Sequence, residues 1–349
     1  MRQGRRSGFR FQSTMPMAIA VLQAIVLAAC VQGAQSTHDA QAEKVAQYEI
    51  LVDVNLTADI SHLSDEQRQM VGTLIDAADI IDDIYWYQVW GDKDDLLNSV
   101  EDPKARQFVL NNCGPWDRFA ADRPIVTGYG PRPPGARFYP EDMSKTEFDA
   151  WQQNGKDGLY SLVVRDTEGN LSLTPYSKAF ESEIEKTSEL LEQASTLAAD
   201  DGFSTYLKLR ATALRTDDYH ASDMAWMEMK SNPIELVIGP IETYSDGLFG
   251  YRAAFEAMIL IKDQAWSERL ARFAEIMPDL QRSIPVAERY KAEVPGTSSE
   301  LNAYDLAYCT GACNCGAKTI AVNLPNDEEV QLEKGTRRLQ IKNTMRAKF

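Results

Sequence analysis

Residues 235–251 read ELVIGPIETYSDGLFGY, and the interpretation of the whole chain starts from this stretch. Its mainly apolar beginning predicts a short buried strand. If the strand continues through the motif, residues two positions apart point to the same side, so Glu242 and Tyr244 project together. A carboxylate accepts hydrogen bonds from cations, and a phenol donates one to an oxygen that gains negative charge. Alone, such a pair more often packs or forms a salt bridge, so the surrounding sequence must decide.

Length and charge limit the classes of protein that the chain can represent. It has 349 residues, which predicts two lobes or a large composite domain. The 52 acidic and 36 basic residues give a net charge of -16. An acidic surface repels phosphate, so the composition argues against nucleic acid as a partner.

Residues 1–29 have the pattern of an export signal, with four arginines before an apolar stretch at 15–29. The stretch ends in Leu-Ala-Ala followed by Cys30, which resembles a bacterial lipobox. The prediction is a lipoprotein signal peptide, lipidation of Cys30, a polar tether over residues 30–44, and an exported, periplasmic protein anchored to the membrane. An ordinary signal peptide with a chance cysteine, and a helix that stays as an anchor, are the alternatives.

The periodicity of residues 45–230 predicts a mainly helical region with one β-hairpin. Ser64 and Gln67 have the spacing of a capping box at the start of a helix, and Thr167-Glu168-Gly169-Asn170 separates two alternating stretches. Residues 113–140 are rich in glycine and proline and predict a long loop. Further helices are predicted at 180–198 with Gly202 as C-cap, at 203–215, at 248–262, and from Asp263 to before Pro278. Further strands are predicted at 319–324, 330–332 and 338–341. The fold class is therefore α+β, mainly helical.

Residues 238–257, IGPIETYSDGLFGYRAAFEA, resemble a characteristic segment of the dipeptidyl peptidase III family of zinc metallopeptidases. The resemblance implies that Tyr244 is catalytic and assists at the scissile carbonyl, while Glu242 binds the free N-terminus of a peptide substrate. It also implies a bilobal peptidase with a central cleft, incomplete in this chain. Residues 231–349 would then form a peptidase-like, incomplete substrate-binding region.

A second segment, AVNLPN at 321–326, resembles the Asn-x-Pro-Asn segment of the same family. There the two amides bind the substrate backbone, which suits Asn323 and Asn326 because an amide both donates and accepts hydrogen bonds. The alternative is a simple turn at the end of a strand. The resemblance covers most of residues 230–349 and is weak over 45–230.

The zinc ligands of that family are missing from the sequence. The family binds zinc through His-Glu-x-x-Gly-His or a relative of it, plus a later glutamate, whereas the three histidines here, His38, His62 and His220, form no such pattern. The expectation is a metallopeptidase truncated before its zinc-binding motif, with zinc in the full-length protein, no metal ligand in this chain and no activity. The alternative is a non-catalytic periplasmic lipoprotein that binds peptides or acts as a scaffold.

Four further cysteines remain once Cys30 is assigned to the signal: Cys113, Cys309, Cys313 and Cys315. Export favours a disulfide within the cluster of three or between the cluster and Cys113. A metal or iron–sulfur site is the alternative, although the Cys-x2-Cys spacing of a zinc ribbon is absent. A redox or metal-sensing protein built on this cluster is the third functional hypothesis, and it requires thiols that stay reactive in the native state.

Overall fold

The structure, a computed structural model, describes residues 52–291 and 300–349. The signal peptide, Cys30 and the tether predicted for residues 1–44 lie outside these ranges. Among the described residues, no helix combines the length and the apolar character needed to cross a bilayer.

Groups of helices and groups of strands follow one another along the described chain. The described helices are α1 (Asp65–Val89), α2 (Lys93–Ser99), α3 (Pro103–Asn112), α4 (Lys145–Ala150), α5 (Tyr176–Ala179), α6 (Glu181–Leu197), α7 (Asp201–Thr216), α8 (His220–Glu228), α9 (Gln264–Ser283), α10 (Glu288–Lys291), α11 (Glu328–Lys334) and α12 (Lys342–Lys348). The described strands are β1 (Trp116–Asp117), β2 (Arg123–Pro124), β3 (Ser161–Arg165), β4 (Leu171–Pro175), β5 (Ile234–Glu242), β6 (Ala254–Lys262), β7 (Glu300–Gly311), β8 (Ala321–Leu324) and β9 (Arg337–Ile341).

Five of these strands form one sheet in the order β5-β6-β7-β9-β8. The β7–β9 pair is parallel, and the other neighbours are antiparallel. The strands β3 and β4 form the separate hairpin that the sequence predicted, and β1 pairs with β2 in the glycine- and proline-rich stretch. The mixture of helices with a largely antiparallel sheet confirms the α+β fold class.

The helix α1 begins at the predicted capping box. The Ser64 hydroxyl accepts a hydrogen bond from the Gln67 amide, and the Gln67 side chain accepts one from the Ser64 amide. At the other end of α1, the fully buried Gln88 side chain accepts from the Phe255 amide at 2.8 Å and donates to the Ala253 carbonyl at 3.4 Å. The helix is therefore attached by side-chain hydrogen bonds to the start of β6.

A buried ion pair connects β5 and β9, two strands that are not neighbours in the sheet. Arg337 on β9 donates to the Glu235 carboxylate on β5 at 2.6 Å, and both side chains are almost fully buried. The indole of Trp226 on α8 also donates to Glu235, at 2.7 Å. Arg337 donates in turn to the Trp226 carbonyl at 2.8 Å. Because two charges inside a protein need such partners, this network fixes α8 against the sheet.

Four predictions of secondary structure are wrong. The segment 248–262 contains the strand β6 rather than a helix. The prediction failed because a short apolar run that is buried on both faces shows no periodicity by which a strand can be distinguished from a helix. Residues 330–332 belong to α11, which begins after the cap Asp327. Gly202 lies in the first turn of α7, after the cap Asp200, and does not end α6. The helix α9 continues through Pro278, where most residues are exposed and water can replace the lost hydrogen bond.

Candidate active site

The connection between β5 and β6 is organised by the buried carboxylate of Asp246. This carboxylate accepts hydrogen bonds from four backbone amides of its own turn, those of Leu248, Phe249, Tyr251 and Arg252. The phenol of Tyr139 donates a fifth, at 2.7 Å. Burial and this hydrogen bond raise the pKa of Tyr139 well above its ordinary value, so the phenol remains a donor. The turn is therefore held in one conformation between the two strands.

The end of β5 departs from the regular strand that the sequence predicted. The register with β6 shifts between Pro240 and Glu242, which marks a bulge at Ile241. The strand ends at Glu242, and Tyr244 follows in a turn. The expectation that both residues share the face of one continuous strand is therefore wrong. Both side chains nevertheless line the same cavity.

All four residues predicted from the two motifs line one cavity of about 610 Å³: Glu242, Tyr244, Asn323 and Asn326. Tyr244 is 82% exposed, so its hydroxyl is open to a ligand. Asn323 lies on β8 and is also exposed. The structure thus brings the two motifs together from positions about eighty residues apart in sequence, while the individual roles of these residues stay predictions.

Asn326 connects the two motifs directly. Its side-chain amide donates a hydrogen bond to the Ile241 carbonyl at 3.0 Å, within the bulge of β5. Burial raises the pKa of the half-buried Glu242, and a hydrogen bond from Asn326 acts in the opposite direction. The carboxylate therefore carries its charge at neutral pH less readily than an exposed glutamate, and a cationic ligand would stabilise that charge.

Glu256 is a cavity residue that the sequence analysis did not select. It lies on β6, is 3% exposed, and lines the same cavity as Glu242. Burial, and then the neighbouring charges of Glu242 and Cys309, raise the pKa of Glu256 to about 8. A glutamate inside the apolar run AFEAMILI was the signal available in the sequence, because acidic residues are rarely fully buried without a reason. Glu256 was not selected because the segment was predicted to be a helix.

Arg118 adds a positive charge to the lining and was also missed. It follows β1 in the irregular segment, where no periodicity identifies a functional position. Its guanidinium donates to the Tyr85 hydroxyl at 2.9 Å, which holds the arginine against α1. The cavity thus contains two carboxylates, one guanidinium, two amides and one phenol, a polar set that matches the groups of a peptide backbone and its ends.

A disulfide joins Cys113 at the end of α3 to Cys315, and the two are separated by 202 positions in sequence. Cys315 lines the cavity, so the disulfide links the segment that carries Arg118 to the part of the cavity lining that follows β7. Cys309 and Cys313 are free thiols.

The described residues do not fit a zinc site. Within residues 52–291 and 300–349, no group of three or more His, Cys, Asp and Glu side chains could hold a metal ion. His62 is exposed before α1, and the His220 ring lies 3.8 Å from the Asp327 carboxylate at the surface. His38 lies outside the described residues. The residues around the cavity can bind and orient a ligand, but they provide no metal ligand set.

Comparison with known proteins gives one matching family model and several similar proteins. Residues 159–349 match the family model "Peptidase family M49". The chain is similar to the solved structures of DPP III from Caldithrix abyssi (TM-score 0.82, 32% identity, 88% of this chain and 60% of that one) and of dipeptidyl-peptidase III from Corallococcus sp. strain EGB (TM-score 0.79, 33% identity, 88% and 59%). It is also 29% identical over 358 residues to Nudix hydrolase 3 of Arabidopsis thaliana, covering 85% of this chain and 46% of that protein. The chain therefore spans about half the length of this curated relative and about 60% of the solved structures.

The raised pKa of Glu256 predicts a specific pH dependence of stability. Its folded-state pKa of about 8 exceeds the ordinary value of 4.5, so between these values the folded state binds more protons than the unfolded state. The free energy of unfolding should therefore fall, by on the order of a few kcal/mol, as the pH rises from about 5 to about 8. The Glu256→Gln variant should lose this part of the slope. Urea denaturation of both proteins at several pH values measures it, and identical slopes would contradict the assignment.

Proposed function

The chain belongs to peptidase family M49, and from this we propose that its cavity is the peptide-binding part of a peptidase resembling dipeptidyl peptidase III, which hydrolyses peptides from their free N-terminus. The observation that carries the proposal is the single cavity lined by Glu242, Tyr244, Asn323 and Asn326 together with Glu256. Acid, phenol and amides in one groove provide a separate partner for each part of a peptide's leading end.

The two carboxylates are suited to an N-terminal ammonium group. Glu242 raises the pKa of Glu256, which means that two negative charges at these positions repel each other. A bound ammonium favours the charged form of both side chains, so Glu256 would release its proton on binding, and the three N–H donors can be shared between the carboxylates. Two acids that disfavour each other's charge thus become a favourable cluster with a peptide's N-terminus.

The two asparagines are suited to the peptide backbone. Asn323 lies on β8, an edge strand of the described sheet, which is where an extended peptide can add through main-chain hydrogen bonds. Asn326 is fixed to the bulge of β5 by its bond to Ile241. The amides would align the peptide so that its second carbonyl lies near Tyr244, whose exposed hydroxyl can donate to the oxygen as negative charge develops there.

Binding experiments on this chain test the proposal without requiring turnover. A short peptide with a free N-terminus should bind more tightly than its N-acetylated form in titration calorimetry. Glu242→Gln and Glu256→Gln should each weaken the free peptide by about 10- to 100-fold, the equivalent of one lost charge-assisted hydrogen bond. Glu168→Gln, on the exposed hairpin turn, serves as the matched control and should change nothing. Equal affinity for both peptides would refute the role of the two carboxylates.

Peptide hydrolysis in this family depends on zinc, for which the three histidines of this sequence form no ligand motif. We therefore expect these 349 residues to bind peptides without hydrolysing them. The measurement is the zinc content of the purified chain together with turnover of a dipeptidyl arylamide. Stoichiometric zinc with turnover would overturn this expectation. Peptide binding without turnover is also what a non-catalytic peptide-binding lipoprotein would give, and the gene sequence beyond the codon for Phe349 separates the two.

The export of the protein is proposed from residues 1–30 alone, because the arginines, the apolar stretch and Leu-Ala-Ala-Cys30 have the order of a lipoprotein signal. In a bacterium that processes lipoproteins, the protein should be found in the membrane fraction with a lipid on Cys30. Cys30→Ser should abolish lipidation, whereas Gln35→Ser in the tether should not. Recovery of the unlipidated parent protein from the cytoplasm would contradict both anchoring and export.

A further inference from the structure

Two free thiols lie close together at the candidate site, and one of them, Cys313, lines its cavity. Cys309 lies near the end of β7, and Cys313 lies in the short 3-10 helix Ala312–Asn314 that follows. Their side chains lie close enough for each to shift the pKa of the other. The Cys313 thiol also lies 3.1 Å from the Thr310 carbonyl and 3.4 Å from the Ala257 carbonyl. The pair is therefore positioned by the backbone on both sides, and neither member belongs to the disulfide between Cys113 and Cys315.

The environments of the two thiols differ in a way that gives them different reactivity. The neighbouring Cys313 thiol lowers the pKa of the half-buried Cys309, and the nearby ammonium of Lys318 acts in the same direction, against the effect of burial. Burial, and then the contact with Cys309, raise the pKa of Cys313, which is 4% exposed. The more accessible thiol is thus the better nucleophile, and the buried thiol keeps its proton until its neighbour has reacted.

From this geometry we propose that Cys309 and Cys313 form a redox-active dithiol, a modification site that closes reversibly into a second disulfide with Cys309 as the entering thiol. The oxidant is a low-molecular-weight disulfide such as oxidised glutathione. The Cys309 thiolate attacks one of its sulfurs, forming a mixed disulfide and releasing one glutathione thiolate. That thiolate takes the proton of Cys313, whose sulfur then attacks Cys309 and releases the second glutathione. Two protein thiols are oxidised, and one glutathione disulfide is reduced to two thiols.

The new bond would form in the wall of the candidate site, because Cys313 lines the cavity. Gly311, between the two cysteines, packs so closely on Phe255 that a Cβ at this position would collide with the Phe255 carbonyl. The backbone of Cys313 also lowers the pKa of Glu256, which follows Phe255 on β6. Forming the disulfide would engage the Cys313 sulfur, which now donates to the Ala257 carbonyl next to Glu256. The modification would therefore change the lining of the cavity near Glu256, whichever ligand the cavity binds.

The purified full-length chain can be tested by equilibration in mixtures of reduced and oxidised glutathione. After acid quenching, alkylation with iodoacetamide and trypsin digestion, mass spectrometry reports the state of residues 292–318, which contain Cys309, Cys313 and Cys315. In oxidising mixtures, alkylation at Cys309 and Cys313 should be lost together, and it should return in reducing mixtures while Cys113 stays linked to Cys315. If both thiols remain open to alkylation in every mixture, the proposal is wrong.

Single variants test the order of the reaction. In Cys313→Ser the mixed disulfide cannot be resolved, so a glutathione should remain on Cys309. In Cys309→Ser the buried Cys313 should react at least about tenfold more slowly. A stable adduct on Cys313 but not on Cys309 would overturn the assigned order. The experiment on the parent chain does not depend on the folding of either variant, and it also does not depend on peptide binding, so its outcome is independent of the proposed function.

Discussion

A carboxylate inside a protein is stable only when hydrogen bonds replace the water that it loses, and Asp246 obtains these bonds from the turn in which it lies. Four backbone amides and the Tyr139 phenol point at one side chain, which leaves the connection between β5 and β6 little conformational freedom. Tyr244 precedes this turn and Glu256 follows it. The relative placement of the candidate phenol and the buried acid therefore depends on a residue that does not line the cavity itself.

Two buried glutamates on neighbouring strands have different surroundings, and the difference indicates which of them supports the fold and which can bind a ligand. Glu235 is paired with Arg337 and accepts from Trp226, so its charge is compensated within the fold and holds α8 against the sheet. Glu256 has acidic neighbours instead, and its pKa rises to about 8. Ionising a buried acid that has no cationic partner costs free energy, and a bound cation can remove that cost. For this reason we propose ligand binding for Glu256 rather than for Glu235.

The disulfide and the two free thiols are grouped around the turn that follows β7, next to the same site. The bond between Cys113 and Cys315 connects an early irregular segment, which carries Arg118, to a turn that follows β7. The 3-10 helix between β7 and Cys315 carries Cys313 and rests on the part of β6 that contains Glu256. One short turn thus combines a structural disulfide, a pair of free thiols and the support of a buried acid, so a covalent change there is close enough to alter the cavity.

The sequence by itself determined the capping box of α1, the β3–β4 hairpin, the helices α6 and α7, and the two motifs that carry the family resemblance, because each rests on residues close together in the chain. It did not determine β6, because a strand buried on both faces has the same apolar composition as a buried helix. The apolar run around Glu256 was a signal for that residue but did not establish its burial or its neighbours, and nothing in the sequence selected Arg118 or chose the partner of Cys113. Only the tertiary structure decided these, because burial, charge neighbours and cross-links are set by which distant segments pack together.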